Sequence, residues 1–182
     1  MAKAIGMIEF NSVAKGIFTA DEMVKTSDVE IVTANSVCPG KYIAIVHGDV
    51  SSVETAVKRG VQVADEFLVD SMIIPNVHPR VFPAIVGANM PDKIQALGIL
   101  ESYSLATMVI ATDAVLKSAD LDAIEIRLGT GLGGKSYFTF TGDVAAVKTG
   151  VEVGMETIGE KGVLVNAEVI PSPSEKLVKT LY

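Results

Sequence analysis

The sequence predicts an α+β fold that consists of two tandem copies of one small domain, each with the ferredoxin-like element order β-α-β-β-α-β. The first observation behind this prediction is an internal repeat. Segment 4–9 matches segment 96–101, and further matches follow in the same order as far as Pro79 with Pro173. The second observation is that both copies alternate strand-like and helix-like patterns in one order. Chance is a poor explanation for ordered matches over nearly all of the 182 residues.

The division between the copies is predicted near segment 88–92, where Asn and Pro interrupt both periodic patterns. We therefore expect a first domain at 1–91 and a second domain at 92–182. The element order predicts an antiparallel sheet with helices on one face in each domain. Many unrelated functions use this topology, so the fold alone does not identify the function.

The first copy begins with a β-rich segment at 3–10, which predicts a strand. A helix follows at 12–26, where apolar residues recur at helical spacing. Two more strands are predicted at 29–33 and 42–46, and the turn-forming loop 36–40 separates them.

The second helix is predicted to begin at a capping box, in which the Ser51 hydroxyl and the Glu54 carboxylate bond the free amides of the first turn. Its apolar face includes Val53, Val57 and Gly60. A last strand at 71–74 completes the copy. The second copy repeats this order.

Composition and charge exclude several classes of partner. The net charge is −7, and the 15 basic residues stand singly rather than in clusters. Nucleic acids and anionic membranes bind clustered basic residues, so we expect neither as a partner. Glu9 and Asn11 interrupt any signal-peptide pattern, and no apolar run approaches the ~20 residues that span a bilayer. The single cysteine cannot form a disulfide within the chain, which is typical of a cytosolic protein.

Cys38 is the residue that the sequence singles out for chemistry. A lone cysteine is usually a small buried apolar residue. Cys38 lies between two predicted strands, however, and Pro39 and Gly40 follow it, which favours a position in a loop. From the residues alone, a buried structural thiol and an exposed functional thiol both stay open.

The corresponding loop of the second copy, 129–134, matches the pattern G-x-G-x-x-G. A dinucleotide site needs a helix to begin at such a loop, because the helix amides bind the pyrophosphate. Segment 136–141 predicts a strand instead, so this interpretation fails. Thr130 occupies the position that corresponds to Cys38, and the second loop therefore carries no thiol.

The two histidines and the recurring glutamates predict structural roles. His47 and His78 lie in different elements and have no neighbours at metal-ligand spacing. Glu9 and Glu101 recur at the end of the first strand, but no second carboxylate recurs beside them at a spacing suited to acid–base chemistry. The sequence also carries no nucleophile elbow and no Ser-His-Asp order, so we do not expect an enzyme.

Several segments together resemble the shell proteins of bacterial microcompartments, in the branch with two BMC domains in tandem. No single segment is specific, but the ordered set over the full length is. Three of the segments are similar to the T-type tandem proteins of propanediol-utilization compartments, namely VCPGKY at 37–42, NVHP at 76–79 and GEKG at 159–162. The segments shared with the wider family are AIGMIE at 4–9, DEMVK at 21–25 and HGDV at 47–50.

The resemblance implies a homotrimer whose six domains form a pseudo-hexagonal tile with a central opening. Tiles would pack edge to edge with other shell proteins into a polyhedral shell. The loops between the second and third strands, 36–40 and 129–134, would ring the opening. Lys25 and Lys117 would lie at the tile edges. The second copy departs from the family in the Pro-rich stretch 170–174, which lacks the basic residue and the histidine of many members.

The resemblance also implies a [4Fe-4S] cluster at Cys38, shared by three chains. Three thiolates can hold three irons of such a cluster, and the fourth iron would take a ligand from outside the chain. Electrons would then cross the shell, with a redox enzyme inside the compartment as the possible partner. Lys41 is interpreted as a solvated lysine next to this site. The other residues predicted to ring the opening are Ser36, Val37, Pro39, Gly40, Thr130, Gly131, Leu132 and Gly133.

Two further functions stand beside this hypothesis. One is a metabolite-conducting shell pore without metal, in which the glycine-rich loops set the width of the opening. The other is a ligand-binding regulatory module, because ferredoxin-like domains serve many functions. Such a module would form an oligomer that never assembles into layers.

Overall fold

The computed structural model describes residues 4–87, 89, 91 and 93–181. The chain folds into two compact units. Within the described residues, the first unit comprises 4–77 and 129–133, and the second comprises 78–128 and 134–181. Each unit is built on a four-stranded antiparallel sheet, which confirms the predicted pair of α+β domains.

The first unit has the predicted order β-α-β-β-α-β. Its elements are β1 (Ala4–Phe10), α1 (Val13–Thr26), β2 (Val29–Val37), β3 (Lys41–Gly48), α2 (Val50–Ala64) and β4 (Leu68–Ile74), with a 3-10 turn at Asp65–Phe67. The strands lie in the order β2-β3-β1-β4. In the central strand β1, Met7 lies opposite Ile45 of β3 and Met72 of β4.

The second unit repeats this architecture and adds a short helix at each end. Its elements are α3 (Val81–Ile85), β5 (Ala96–Ser102), α4 (Leu105–Ser118), β6 (Asp122–Leu128), β7 (Ser136–Gly142), α5 (Val144–Gly159), β8 (Leu164–Ile170) and α6 (Glu175–Val178). The strand order is β6-β7-β5-β8. Ile99 of β5 lies opposite Thr139 and Glu168, in the position that Met7 has in the first sheet.

The first helix of each copy begins at a serine that caps it. The Ser12 hydroxyl accepts a hydrogen bond from the Lys15 amide at 3.3 Å, and the Ser104 hydroxyl accepts one from the Thr107 amide at 3.1 Å. Each bond satisfies an amide that has no partner within the helix. The repeat therefore preserves the local signal that begins the helix.

The second helix of each copy packs closely on the central strand through a glycine. A Cβ atom at Gly60 would lie 2.1 Å from Cδ1 of Ile8, and one at Gly154 would lie 2.2 Å from Cδ1 of Leu100. Both aliphatic side chains are fully buried. The matched glycines thus leave the space that these side chains fill.

The predicted capping box is wrong. Helix α2 begins at Val50, with Asp49 at the N-cap position, so Ser51 lies inside the helix and forms no capping box. The equivalent Asp143 caps α5, since its carboxylate accepts a hydrogen bond from the Ala146 amide at 2.8 Å. Aspartate is as good a cap as serine, and here it comes first in the chain.

The predicted division between residues 91 and 92 stays a prediction, because Asp92, like Ala88 and Met90, lies outside the described residues. The segment before it packs with the second unit, where α3 lies against β6 and α4. Among the described helices, none has the length and apolar character needed to cross a membrane.

Candidate functional site

Cys38 is exposed and begins the tight turn between β2 and β3. Only residues 38–40 form this turn, because β2 extends four residues beyond the strand end predicted at residue 33 and includes Ser36 and Val37. Val37 is buried, whereas Ser36, Pro39 and Gly40 are exposed. Of the two interpretations of the thiol, the exposed one agrees with the structure.

The turn that carries Cys38 lies beside the glycine loop that follows β6. The Cys38 amide donates a hydrogen bond to the Gly129 carbonyl at 3.3 Å, within the first unit. The Leu132 amide bonds the same carbonyl at 3.4 Å and so closes the glycine loop on itself. Thr130, the counterpart of Cys38, is exposed. The two loops that were predicted to ring an opening are therefore neighbours in one chain.

The glycine loop has a backbone that other residues adopt only with strain. Gly129, Gly131, Gly133 and Gly134 all have positive φ, between 61° and 90°. Beside Gly131 and Gly133 a Cβ atom would meet nothing within 4 Å. The glycines are required here by the backbone conformation rather than by crowding.

An ion pair anchors the base of each loop to the end of the central strand. Lys41, which directly follows the Cys38 turn, contacts a carboxylate oxygen of Glu9 at 2.8 Å, and Lys135 pairs with Glu101 in the same way. The Glu9 side chain is only 4% exposed, against 30% for Glu101. The hydrogen bond that Lys135 donates to Glu101 raises the pKa of Lys135. The interpretation of Lys41 as a solvated lysine is wrong.

Sequence reasoning missed this pair although a signal was present. Glu9 and Lys41 both recur in the second copy, as Glu101 and Lys135. Residues that recur together are candidates for contact with each other, even when 32 positions separate them.

The two lysines predicted at tile edges lie in the last turn of the first helix of each copy. Lys25 bonds the Asp21 carboxylate one turn earlier, and this bond raises the pKa of Lys25. Lys117 bonds Asp113 at 2.6 Å in the same arrangement. Both are more than two-fifths exposed, and their role at a tile edge stays a prediction.

The histidines take part in local structure. Nε2 of His47 lies 3.4 Å from the Glu30 carboxylate. Nδ1 of His78 accepts a hydrogen bond from the Arg80 amide, and burial, with a smaller effect from the Arg80 charge, lowers the pKa of His78. In the part of the chain that the structure describes, no three His, Cys, Asp or Glu side chains converge on a metal-sized space. A metal centre at Cys38 would therefore need ligands from other chains.

A polar cleft of about 240 Å³ on the second unit was not predicted. It is lined by Glu125, Arg127, Tyr137, Thr139, Thr180 and Leu181. The Tyr137 hydroxyl donates to Glu125 at 2.7 Å, and the Arg127 guanidinium forks onto the other oxygen of the same carboxylate. Burial, assisted by the Glu125 contact, raises the pKa of Tyr137 to about 12. These polar groups satisfy one another's hydrogen-bonding capacity, so we interpret the cleft as a structural network.

Comparison with known proteins gives one consistent result. The family model described as "BMC domain" matches residues 4–77 and again 96–173. The chain is 41% identical, over 97% of its length and 96% of the relative's, to the bacterial microcompartment shell protein PduT of Citrobacter freundii. It is 33% identical to the carboxysome assembly protein CcmO of a Synechocystis strain, over 98% of this chain and 64% of that protein. A solved structure of a microcompartment protein from Desulfitobacterium hafniense superposes with a TM-score of 0.94 and 44% identity, and the match covers 98% of this chain and 99% of that one.

Proposed function

The chain belongs to the BMC-domain family of microcompartment shell proteins, and from this premise we propose that three copies form a tile whose axis carries a [4Fe-4S] cluster bound by Cys38. Membership of the family makes the chain a structural component of a compartment shell rather than an enzyme. The trimer, the cluster and the transfer of electrons to a redox enzyme inside the compartment are the proposal.

The observation that carries the proposal is the exposed thiol in a turn beside the glycine loop. A thiolate in a turn is open to an iron from outside its own chain, whereas a buried thiol would not be. Only one of the two equivalent loops has a cysteine, because Thr130 replaces it in the other. A trimer therefore supplies three thiolates, which is the number that leaves one iron corner of a cubane cluster open to an external ligand.

The chain's own residues suit a small rigid site. The ion pair between Lys41 and Glu9 anchors the turn directly after Cys38, and the bond from the Cys38 amide to Gly129 fixes its start. Gly40 has a φ of 72° and open space beside it, so the backbone there can approach a bound group closely. When bound, an iron–sulfur cluster supplies reversible one-electron transfer.

Spectroscopy of anaerobically purified protein tests the cluster. We expect iron, acid-labile sulfide and the visible absorption of a [4Fe-4S] cluster in the natural chain, at one cluster per three chains, together with an EPR signal after reduction. Cys38→Ser is expected to lose all four signals and to keep the mass of the trimer in solution. Thr130→Ser is the matched control at the equivalent position, and we expect it to keep the cluster.

A natural chain that stays free of iron after reconstitution would contradict the cluster while leaving the shell role intact. A trimer that is lost in Cys38→Ser would mean that the thiol has a structural role. A chain that runs as a monomer in every preparation would contradict the tile itself.

The alternative of a metabolite pore without metal draws on the glycine loop. Open space and positive φ at Gly131 and Gly133 leave room for a loop that changes conformation. Gly131→Val is expected to narrow and strain such a pore, which would change solute flux across assembled layers without any redox signal. The regulatory module has no comparable observation in its favour.

The proposed edge contacts through Lys25 and Lys117 would be lost in charge-reversed variants, which would no longer form layers.

A further inference from the structure

The turn that carries Cys38 has one charged residue close to it in the sequence. Lys41 is the only charged residue in segment 31–46, and it begins β3 directly after the turn. Val37, the residue before Cys38, lies opposite Lys41 across the hairpin. Paired residues of neighbouring antiparallel strands have Cα atoms about 5 Å apart, so the backbone of Lys41 lies beside the start of the turn.

One covered carboxylate balances the charge of Lys41. The Lys41 ammonium lies 2.8 Å from a carboxylate oxygen of Glu9, and the Glu9 side chain is 4% exposed against 27% for Lys41. Removal of a carboxylate from water costs free energy, which a close opposite charge offsets. The two side chains therefore form a nearly neutral unit that water reaches mainly from the lysine side.

The second copy has the same ion pair without the thiol. Lys135 pairs with Glu101, their side chains are 35% and 30% exposed, and Thr130 occupies the position of Cys38. A pair that is present in both copies serves the hairpin in both. A role in metal chemistry is open only to the pair of the first copy, whose covered carboxylate is also less screened by water and salt.

In the proposed trimer the charge beside Cys38 counts three times. Three thiolates on one axis bring three Lys41–Glu9 pairs to the same centre. Reduction of a [4Fe-4S] cluster adds one negative charge, and the net charge around a cluster is one of the factors that set its reduction potential. Three lysines without their carboxylates favour the reduced form, whereas three balanced pairs do not.

We propose that Glu9 sets the reduction potential of the cluster by cancelling the charge of Lys41 in each of the three chains. This inference rests on the proposed cluster and names the ion pair that regulates it. Glu9 acts through Lys41 and is a positioning residue rather than a ligand. The cancelled charge keeps the potential low, and a low potential makes the reduced cluster a better electron donor.

Coulomb's law gives the size of the effect. At about 10 Å in water, one uncancelled positive charge changes the ratio of reduced to oxidised cluster by about twofold, and three together change it by about eightfold. For a one-electron couple this ratio corresponds to about 50 mV.

Redox titration of the anaerobically purified trimer, followed by EPR, tests the inference. Glu9→Gln leaves Lys41 uncancelled, and we expect it to raise the potential by this amount. The double variant Glu9→Gln with Lys41→Met removes both charges, and we expect it to return the potential to that of the natural trimer. Glu101→Gln is the matched control beside the loop without a thiol, and its expected shift is smaller.

The double variant separates a role of charge from a role of structure, because it also lacks the ion pair. An unchanged potential in Glu9→Gln, an equal shift in Glu101→Gln, or a double variant shifted as far as the single one overturns the inference and leaves the cluster standing. If Glu9→Gln holds no cluster, the double variant decides: a cluster with the natural potential supports charge balance, and loss of the cluster overturns it. A natural trimer without a cluster overturns both this inference and the proposed function.

Discussion

The turn after β2 and the loop after β6 occupy equivalent positions in two copies of one domain, yet they differ in chemistry. The first is short, carries an exposed thiol and is anchored by a buried carboxylate on Glu9. The second is a run of glycines with positive φ, anchored by the more exposed Glu101. A duplicated gene can change one loop without changing the other. In the proposed trimer, three chains would then alternate two kinds of loop, which six identical domains could not do.

The largest expected effect lies in this contrast of loops. Cys38→Ser removes the only thiol of the chain, so we expect the iron content to fall from one cluster per trimer to none. Thr130→Ser changes the equivalent residue and is expected to leave the iron content unchanged. Iron and sulfide analysis of both variants checks this. Loss of iron in both would mean that the cluster depends on the second loop as well as on the thiol, and retention of iron in Cys38→Ser would contradict the thiol as a ligand.

The two anchoring ion pairs should differ in what they contribute to stability. Glu9→Gln leaves the partly buried Lys41 without its counter-charge, which we expect to cost about 2 kcal/mol of the free energy of unfolding. Glu101→Gln disrupts a pair that water reaches, so its expected cost is about 0.5 kcal/mol. Denaturant unfolding at one fixed chain concentration measures both, because assembly shifts apparent stability. Equal costs would show that burial does not distinguish the two anchors.

The matched glycines give a second comparison of the two cores. Gly154→Ala presses a methyl group onto Leu100 and Val115, and the branched Val115 side chain has little freedom to move. We expect a cost of about 1.5 kcal/mol. Gly60→Ala meets Ile8 and Met23 instead, and the flexible Met23 can adapt, so its cost should be about 0.5 kcal/mol. Thermal unfolding of the two variants ranks them, and the reverse order would contradict this account of packing.

The sequence predicted the features that depend on residues near one another in the chain, and it missed contacts between distant residues. The repeat and the helical and alternating patterns predicted every strand and the four long helices, because burial imposes those periods along the chain. Local chemistry was predicted less well. Asp49, two residues before Ser51, occupies the N-cap position, so the predicted capping box does not form. The Lys41–Glu9 pair and the hydrogen bond from Arg80 to the Leu121 carbonyl depend on strand register and on packing between distant segments, which no pattern of neighbouring residues encodes. The resemblance, and not periodicity, pointed to Cys38 as a ligand.

The smallest expected effect is a difference between the two units in how their stability depends on pH above 10. Tyr137 corresponds to Ile43 of the first copy, so the first unit has no titrating group at this position of its sheet. Its pKa in the folded state is about 12, above the ordinary value of 10.0, because burial and the Glu125 contact oppose ionisation. A raised pKa of an acid means that its contribution to stability is complete below pH 10 and is lost as the pH rises through 12. Tyr137→Phe should therefore lower stability slightly at pH 8 and flatten the decline above pH 10, as followed by unfolding across pH and by ultraviolet titration of the four tyrosines. A Tyr137 that ionises at the ordinary tyrosine pKa of 10.0 would contradict the effect of burial and of the Glu125 contact.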